Sequence, residues 1–416
     1  MVAIFLKGGD FAALDGRVID AVSGKGIAGA IVTVGDQDTT TDTDGRFHTA
    51  NNTSRILVRA CGYRRAAYSA DELARDGGRV TLTPFVPKAL YLSAYGIGSG
   101  PLRSAALALV REGPFNALVI DIKSDRGMVP YPSLVPLAKV SGARQMTTIP
   151  NLSSLVDSLH AQGIYVIARI VVFKDNTLAN ARPDLAAKRQ DGRLFHDKEG
   201  LSWTDPFQAG VRDYNIAIAV EAARAGFDEI QFDYVRFPDA TQQLKLSQPA
   251  TEAARVAAID MFLTEARRQL KPYNIFLAVD IFGYVCWNTN DTGIGQQLEH
   301  LIKIVDYLSP MLYPSCFQCG IPGYRNPVAH PYEIVQQSLE HAEHRVNVPP
   351  LRFRPWIQEF RDYAFDRRAF GTEEIEAQIR AASDFGSDGW MIWNPTNRYF
   401  SIAQDTKGHS IEVSKH

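Results

Sequence analysis

A carboxylate stands in the middle of an apolar stretch at residues 228–238, which reads DEIQFDYVRFP. A buried carboxylate without a partner costs several kcal/mol, so Asp233 needs a counter-ion, water or a chemical task. One such task is glycoside hydrolysis, in which one carboxylic acid protonates the leaving oxygen and a second carboxylate attacks the sugar or activates water. Asp280, inside the apolar run 275–284, is the first candidate for the second carboxyl group, and Glu359 is its rival.

The chain from residue 87 onward alternates short apolar runs with segments of helical period. Strand and helix patterns repeated eight times predict an α/β fold, a (β/α)8 TIM barrel over residues 87–416, with its functional residues at the C-terminal ends of the strands. The apolar runs are residues 88–95, 117–123, 165–173, 229–237, 275–284, 305–314, 354–360 and 389–395, and the main helical segments are 152–159, 210–225, 252–270, 296–304, 332–344 and 372–385.

A doubly wound sheet is the alternative fold. Its usual marker is a G-x-G-x-x-G turn after the first strand, which GIGSG at residues 96–100 nearly imitates. Pro101 follows, however, and the third glycine is out of place. We therefore interpret these glycines as a flexible loop after the first barrel strand.

Polar and aromatic side chains cluster near the predicted C-terminal ends of the strands, where a barrel of this type places its functional residues. We predict that Asp233, Asp280 and Glu359 are catalytic. The predicted substrate-binding residues are Asp121, Lys123, Arg169, Trp203, Tyr234, Arg236, Tyr313, Gln358, Trp393 and Asn394.

Two arginines give the proposed carboxylates different expected roles. Arg169 and Arg236 should flank Asp233 and hold it ionised as the nucleophile or base. Asp280 is followed by apolar and aromatic residues, so a raised pKa would suit it to act as the acid. The reverse assignment stays open. The residues expected around Asp280 are Phe282, Tyr284 and Trp287.

A purely structural reading of these charges is the alternative. Asp121 with Lys123, and Asp233 with Arg169, could neutralise each other in a salt-bridged layer of the barrel. Aromatic side chains near the strand ends also belong more often to the hydrophobic core than to a surface that stacks on a sugar, because they bury large areas. The concentration of the whole set at one end of the barrel favours a functional site.

No metal or cofactor is predicted. The nine histidines all fall outside the strand runs, whereas metal-dependent barrel hydrolases use histidine ligands. HAEH at residues 341–344 lacks the H-E-x-x-H spacing and indicates a solvated helix face. CFQC at residues 316–319 has no second C-x-x-C beside it, which favours a structural loop over a zinc or redox site.

Residues 1–86 form a separate predicted domain. Short alternating Val, Ile and Thr runs between Gly, Asp and Ser turns predict a small all-β sandwich over residues 15–84. The stretches GRV at 16–18, GAIV at 29–32 and TDTDGRF at 41–47 resemble the carboxypeptidase regulatory-like (transthyretin-like) module. We interpret the last stretch as a hairpin turn closed by Asp-Gly rather than as a calcium loop.

The bulk composition excludes several classes of partner. A net charge of −2 lacks the basic excess expected of a nucleic-acid binder. No 18-residue apolar window predicts a membrane span, and the opening MVAIFLKGG is too short for a signal peptide. We expect a periplasmic or secreted protein whose signal peptide is absent from this sequence, with a cytoplasmic location left open. The four cysteines are too few for a disulfide scaffold and do not indicate the redox compartment, and the oligomeric state is left open.

The barrel region resembles a family of glycosidase-like barrels that was first defined as a domain of unknown function. The resemblance rests on residues 119–127, 203–238, 305–315, 354–360 and 389–395. It implies a TIM barrel distantly similar to the α-amylase-like superfamily and a carbohydrate-active role, with Asp233 as the best catalytic candidate. In that family a histidine commonly follows YPS, where this chain has Cys316.

Together these features predict a glycoside hydrolase that cleaves an O-glycosidic bond in a polysaccharide or oligosaccharide. A non-catalytic carbohydrate-binding or scaffolding protein, which would use the barrel mouth as a groove, is the alternative because fold alone does not fix function. A transglycosylase would share the same residues and differ in excluding water.

Overall fold

The computed structural model describes residues 14–49, 55–239 and 243–399. The chain forms two compact units, one of Met1–Val86 with Ala266–Phe276 and the other of Pro87–Glu265 with Leu277–His416. Among the described residues, no helix is both long enough and apolar enough to cross a membrane.

The first unit contains two small β-sheets. One has the strand order β4-β1-β7 and the other has the order β3-β2-β5-β6. Side chains from both sheets, such as Val18, Val32, Phe47, Val58 and Val80, share one buried cluster. The elements are β1 (Leu14–Asp20), β2 (Ile31–Val34), β3 (Gln37–Thr40), β4 (Arg46–Thr49), β5 (Arg55–Arg59), β6 (Ala66–Ser69), α1 (Ala70–Arg75) and β7 (Arg79–Leu82).

The predicted Asp-Gly hairpin of this unit is wrong in its connectivity. The turn joins β3 to β4, which belong to different sheets. Oδ1 of Asp42 accepts hydrogen bonds from the backbone N–H groups of Asp44 and Arg46, and Gly45 has a φ of +78°. The side chain therefore closes the turn locally, so no cross-strand pairing is required to form it.

The second unit confirms the predicted (β/α)8 barrel. Eight parallel strands close in the order β8-β9-β10-β12-β14-β15-β16-β17. Strands such as β9 and β10 are buried along their whole length, because helices cover the outside and side chains fill the inside, and this explains their mainly apolar sequences. The barrel strands are β8 (Lys88–Leu92), β9 (Ala117–Lys123), β10 (Tyr165–Val171), β12 (Glu229–Asp233), β14 (Phe276–Phe282), β15 (Tyr307–Met311), β16 (Trp356–Gln358) and β17 (Trp390–Trp393). The short strands β11 (Lys188–Arg189) and β13 (Leu244–Lys245) pair with each other in a two-stranded sheet.

Helices lie between these strands. The glycines at residues 96–100 are not in a flexible loop as predicted, because Ser93 and Ser99 accept hydrogen bonds from backbone N–H groups and cap two consecutive helices. The helices are α2 (Ala94–Gly98), α3 (Gly100–Glu112), α4 (Pro136–Val140), α5 (Leu152–His160), α6 (Asn176–Ala181), α7 (Ala209–Arg224), α8 (Glu252–Leu270), α9 (Leu298–Leu301), α10 (Pro331–Val346) and α11 (Thr372–Phe385).

A buried ionic cluster lies towards the N-terminal end of the barrel. Arg354 donates to Oε2 of Glu229 at 2.6 Å and to Oδ2 of Asp388 at 3.0 Å. The hydroxyl of Tyr165 also donates to Glu229. Glu229 is the first residue of β12, four positions before Asp233. The strand β12 therefore carries one carboxylate at its structural end and another at its functional end.

Candidate active site

A cavity of about 220 Å³ opens among the C-terminal parts of the barrel strands and the loops that follow them. Six of the predicted site residues line it: Arg169, Asp233, Tyr234, Arg236, Tyr313 and Trp393. The other lining residues are Phe282, Met311, Cys316 and Trp356. Aromatic rings and a few charged groups dominate this wall, as in many small-molecule sites.

Arg169 links two carboxylates beside the cavity. The β9–β10 register places it opposite Asp121, and its Nη1 donates to Oδ1 of Asp121 at 2.6 Å. Its Nε donates to Oδ2 of Asp233 at 3.0 Å, and Nη2 donates to the same oxygen. The other oxygen of Asp121 accepts from the hydroxyl of Tyr91 at 2.7 Å. Burial lowers the pKa of Arg169, but the charges of Asp121 and Asp233 outweigh it and hold the pKa well above its ordinary value.

The end of β12 fixes Asp233. The backbone N–H of Tyr234 donates to Oδ1 of Asp233 at 2.6 Å, so N–H groups contact both of its oxygens. Tyr234 has a φ of +49°, a left-handed conformation that is uncommon for a residue with a side chain. Three N–H donors, two from Arg169 and one from Tyr234, therefore hold the side chain of Asp233 in a fixed position.

Asp280 has the opposite environment. It lies on β14, the strand next to β12, and is almost wholly buried. Burial raises its pKa well above the ordinary value, and the charge of Asp233 adds to the effect. Oδ1 accepts from the indole N–H of Trp356 at 2.8 Å, whereas Oδ2 has no hydrogen-bond partner among the described residues. The expected aromatic surroundings were misplaced: Trp356 of β16 contacts Asp280, while Trp287 binds Ser338.

Trp393 forms an aromatic wall of the cavity. Its ring stacks on Tyr91, with ring centroids 4.1 Å apart and planes 25° from parallel. The guanidinium carbon of Arg169 lies 4.9 Å from the centroid of the Trp393 ring. This cation–π contact and the stack hold the indole in place. Trp393 is therefore fixed as a flat surface at the cavity, next to the arginine that binds Asp233.

Tyr234 is enclosed by charged and aromatic groups. Trp203 packs edge-on to its ring at 5.6 Å, and Lys174 and Arg236 lie 5.0 and 5.3 Å from its centroid. Trp203 itself is only 2% exposed and donates its indole N–H to Asp197. The structure thus places Trp203 behind Tyr234, in a supporting position.

Arg236 lines the cavity but does not contact Asp233, contrary to the prediction. Its Nη1 donates to Oδ1 of Asp239 at 2.8 Å and to the backbone carbonyl of Phe237. The left-handed turn at Tyr234 follows Asp233 directly, so simple alternation along an extended strand does not hold for Arg236.

Lys123 does not reach the cavity, which overturns its predicted substrate contact. The β9–β10 register shifts after Arg169, so that Lys123 pairs with Ile170. Such a shift changes the side to which a strand residue points. Lys123 is fully buried, lies 2.8 Å from Oδ2 of Asp175 and donates to the carbonyl of Val171. The suggested Asp121–Lys123 pair is replaced by Asp121–Arg169 and Lys123–Asp175.

Three further predicted residues lie outside the cavity lining. Gln358 is buried, and its side chain donates to Oγ of Ser315 at 2.7 Å. Asn394 caps a turn by accepting from the backbone N–H of Thr396. Glu359 is 2% exposed, and its backbone N–H donates to the carbonyl of Trp393. None of the three is among the residues that line the cavity, and neither is Asp280. Asp280 is preferred to Glu359 as the partner of Asp233 because it lies on β14, the strand next to β12, and because burial and the charge of Asp233 raise its pKa.

Sequence reasoning missed two contacts, that of Tyr91 with Asp121 and that of Trp356 with Asp280. Tyr91 and Trp356 both lie in the apolar runs and look like ordinary core aromatics. Their polar atoms gave a usable signal, because a buried Tyr O–H or Trp N–H needs a partner. Among the described residues, no group of three or more His, Cys, Asp or Glu side chains is arranged to hold a metal ion.

Comparisons with known proteins support a glycosidase-type domain. The family described as "Putative glycosyl hydrolase domain" matches residues 89–399. A hypothetical protein from Ruminiclostridium thermocellum is 36% identical, with 46% of this chain and 96% of that chain covered and a TM-score of 0.41. No protein of curated function matches the chain.

One solved structure supports the fold. The glycoside hydrolase domain of PgaB (BpsB) from Bordetella bronchiseptica is 13% identical, covers 75% of this chain and 95% of its own, and has a TM-score of 0.54. A chitinase from Chromobacterium violaceum is also 13% identical, with 74% and 93% covered and a TM-score of 0.43. Because the family match spans most of the barrel, the chain belongs to the Putative glycosyl hydrolase domain family and its barrel is of the glycosidase type.

Proposed function

We propose that this protein hydrolyses an O-glycosidic bond in a polysaccharide, with Asp280 as the general acid and Asp233 as the nucleophile or base. The observation that carries the proposal is the opposite environment of two neighbouring carboxyl groups. N–H groups of Arg169 and Tyr234 bind Asp233, whereas burial and the charge of Asp233 raise the pKa of Asp280. The raised pKa of Asp280 suits the acid, and the neighbouring carboxyl group of Asp233, held by N–H donors, is left as the nucleophile or base.

The acid step places the proton of Asp280 on Oδ2. The indole N–H of Trp356 occupies Oδ1, so a proton on that oxygen would face another donor. Oδ2 is buried and has no partner among the described residues, so it is the oxygen that carries the proton in this proposal. Transfer of this proton as the C–O bond breaks avoids release of an alkoxide, which is the purpose of general acid catalysis.

The second step uses Asp233. As the bond breaks, positive charge develops on the sugar ring, and a carboxylate beside the anomeric carbon stabilises it. Asp233 then either bonds to that carbon or takes a proton from the attacking water. Arg169 holds Oδ2 of Asp233 with two N–H groups and so limits its rotation. If Asp233 has bonded to the carbon, water then attacks that carbon, gives a proton to the ionised Asp280 and displaces Asp233. If Asp233 has instead taken the proton from water, it releases that proton to solvent and Asp280 regains one from solvent.

The aromatic wall of the cavity is the proposed binding surface for the substrate. Sugar rings present C–H faces that stack on aromatic side chains, and Trp393 and Tyr313 line the cavity. A polysaccharide substrate would also place the activity outside the cytoplasm, in agreement with the expected location.

A screen of polysaccharides tests the proposal. Release of reducing ends is measured for wild type, Asp280→Asn, Asp233→Asn and the control Asp260→Asn, whose carboxylate pairs with His300 on the outside of the barrel. We expect a loss of about 10²–10⁴-fold in kcat/KM for each of the first two variants. The control should retain activity. Cleavage that survives both substitutions would show that other residues catalyse it.

A further inference from the structure

The cavity is too small for more than a short part of a polysaccharide. Its volume of about 220 Å³ is below the roughly 300–1,000 Å³ of pockets that enclose a drug-sized ligand. Neighbouring sugar units must therefore lie against the rim of the cavity. This step rests on the proposed function, because it takes a polysaccharide as the substrate.

We propose that the ring of Tyr363, in the loop after β16, is a binding platform for one sugar unit of the substrate. This unit belongs to the part of the polysaccharide that extends out of the cavity past Cys316. Tyr363 is 46% exposed, although a ring of this size is usually more buried. The hydroxyl of Tyr363 lies 3.2 Å from Sγ of Cys316, which lines the cavity. The exposed ring is therefore adjacent to the proposed catalytic site.

A row of aromatic rings connects the cavity to this platform. Tyr313 lines the cavity and packs edge-on to Phe360, with centroids 5.5 Å apart. Phe360 in turn is nearly parallel to Tyr363, at 13° and 6.2 Å. The row Tyr313–Phe360–Tyr363 leads from the cavity wall to the surface, which suits a substrate that continues from one sugar unit to the next.

The loop that carries Tyr363 is rigidly braced by Asp362. Its carboxylate accepts hydrogen bonds from the backbone N–H groups of Ala364, Phe365 and Arg367 and from the hydroxyl of Ser315. Burial raises the pKa of Asp362, but these hydrogen bonds outweigh it and lower the pKa to about 2. A platform that is already ordered loses little conformational entropy when a ligand binds.

The same bracing gives Gln358 a role. Gln358 donates to Oγ of Ser315 and accepts from the Ser315 backbone N–H, so it joins the loop after β15 to the strand β16. Ser315 precedes Cys316, whose thiol contacts Tyr363. Burial raises the pKa of the Cys316 thiol, which keeps it neutral and able to share a hydrogen bond with the tyrosine. Gln358 thus holds in place the segment whose Cys316 contacts Tyr363.

Affinity electrophoresis of the full chain tests the platform without requiring cleavage. Native gels contain glycol chitin, laminarin, hydroxyethylcellulose, a soluble galactan or no polysaccharide. The proteins are Asp280→Asn alone and in combination with Tyr363→Ala, Tyr363→Phe or Tyr332→Ala. Tyr332 is the matched control, because its hydroxyl bonds Asp384 between two outer helices, away from the cavity.

We expect at least one polysaccharide to slow the Asp280→Asn protein. Tyr363→Ala should weaken this retardation at least five-fold, while Tyr363→Phe, which keeps the ring, and Tyr332→Ala should not. Equal retardation of the Tyr363→Ala and parent proteins, or no retardation in any gel, would overturn the platform. Circular dichroism identifies a variant that has failed to fold, and in that case Tyr363→Ser and Tyr363→Phe are compared instead.

The two proposals fail in different ways. If Tyr363→Ala binds as well as its parent while Asp280→Asn abolishes cleavage, the hydrolase stands and the platform is wrong. If Tyr363→Ala loses binding while Asp233→Asn and Asp280→Asn still cleave, the platform stands and the catalytic assignment is wrong.

Discussion

The backbone N–H of Tyr234 donates a hydrogen bond of 2.6 Å to Oδ1 of Asp233, the residue that precedes it, and Tyr234 has a φ of +49°. This conformation costs a residue with a side chain about 1–2 kcal/mol. The hydrogen bond and the contacts of the Tyr234 ring with Trp203 and Lys174 offset that cost. The strained conformation of Tyr234 thus accompanies the hydrogen bond that holds the proposed nucleophile or base in place, and strained residues of this kind are common at active sites.

Tyr234→Gly should be more stable than Tyr234→Ala by about 1 kcal/mol. Both substitutions remove the ring, so the difference between them reports the backbone alone. Glycine adopts a positive φ without strain, whereas alanine does not. The free energy of unfolding of both variants, measured in urea, checks the prediction.

Two other positions serve as controls for this comparison of glycine and alanine variants. Asn347 has a φ of +49° at the end of α10, so its glycine variant should again be the more stable. At an exposed position inside a helix, such as Glu340, the order should reverse by about 1 kcal/mol. An alanine variant at position 234 that equals or exceeds the glycine variant would show that the left-handed turn is not maintained.

The order of strands and the place of Asp233 could be predicted from the sequence, because a closed barrel buries each strand on both sides. This burial demands continuous apolar runs, and Asp233 interrupts such a run where β12 ends. Side-chain direction after a strand irregularity could not be predicted. The register shift next to Arg169 turns Lys123 away from the cavity, and the turn at Tyr234 separates Arg236 from Asp233.

Hydrogen bonds between residues far apart in the sequence could not be predicted either. Trp356 and Asp280 are 76 positions apart, and the apolar run that contains Trp356 does not indicate which carboxylate its indole will meet. Gln358 likewise has the polarity of a ligand-binding residue, yet its amide braces Ser315. These assignments depend on which side chains the closed barrel brings together, which no local pattern encodes.

Trp356→Phe should shift the alkaline limb of the pH profile of kcat/KM to higher pH. This limb reports loss of the proton from the acid. Burial and the charge of Asp233 already raise the pKa of Asp280, so the wild-type limb should lie well above the value of about 3.9 for a free aspartate. The indole N–H favours the ionised form of Asp280, so its removal raises the pKa further.

Activity is measured from pH 4 to pH 10 on the polysaccharide identified by the screen. If Trp356 only contacts the sugar, Trp356→Phe should raise KM and leave the limb where it is. A limb that moves to lower pH would contradict the proposed hydrogen bond to the acid. Tyr313→Phe, which keeps an aromatic ring at the same cavity wall, is the matched control.

Asp280→Asn should stabilise the fold increasingly as the pH rises. Asp280 has a higher pKa in the folded protein than in the unfolded chain, where aspartate titrates near about 3.9. Above that pH the unfolded chain releases the proton first, so this group lowers the wild-type free energy of unfolding until the folded pKa is passed. Asparagine has no such proton, and the variant avoids the cost of a buried charge.

Urea unfolding at intervals from pH 3.5 to pH 9 measures the difference between variant and wild type. It should be nearly constant below about pH 4 and should grow above it. Asp362→Asn is the control of opposite sign, because the pKa of Asp362 is lowered to about 2 by its hydrogen bonds. That variant should lose stability relative to wild type above pH 4. A stability difference for Asp280→Asn that does not increase with pH would mean that Asp280 is not held protonated by burial, and the acid would then have to be sought among the other carboxyl groups at the barrel mouth, beginning with Glu359.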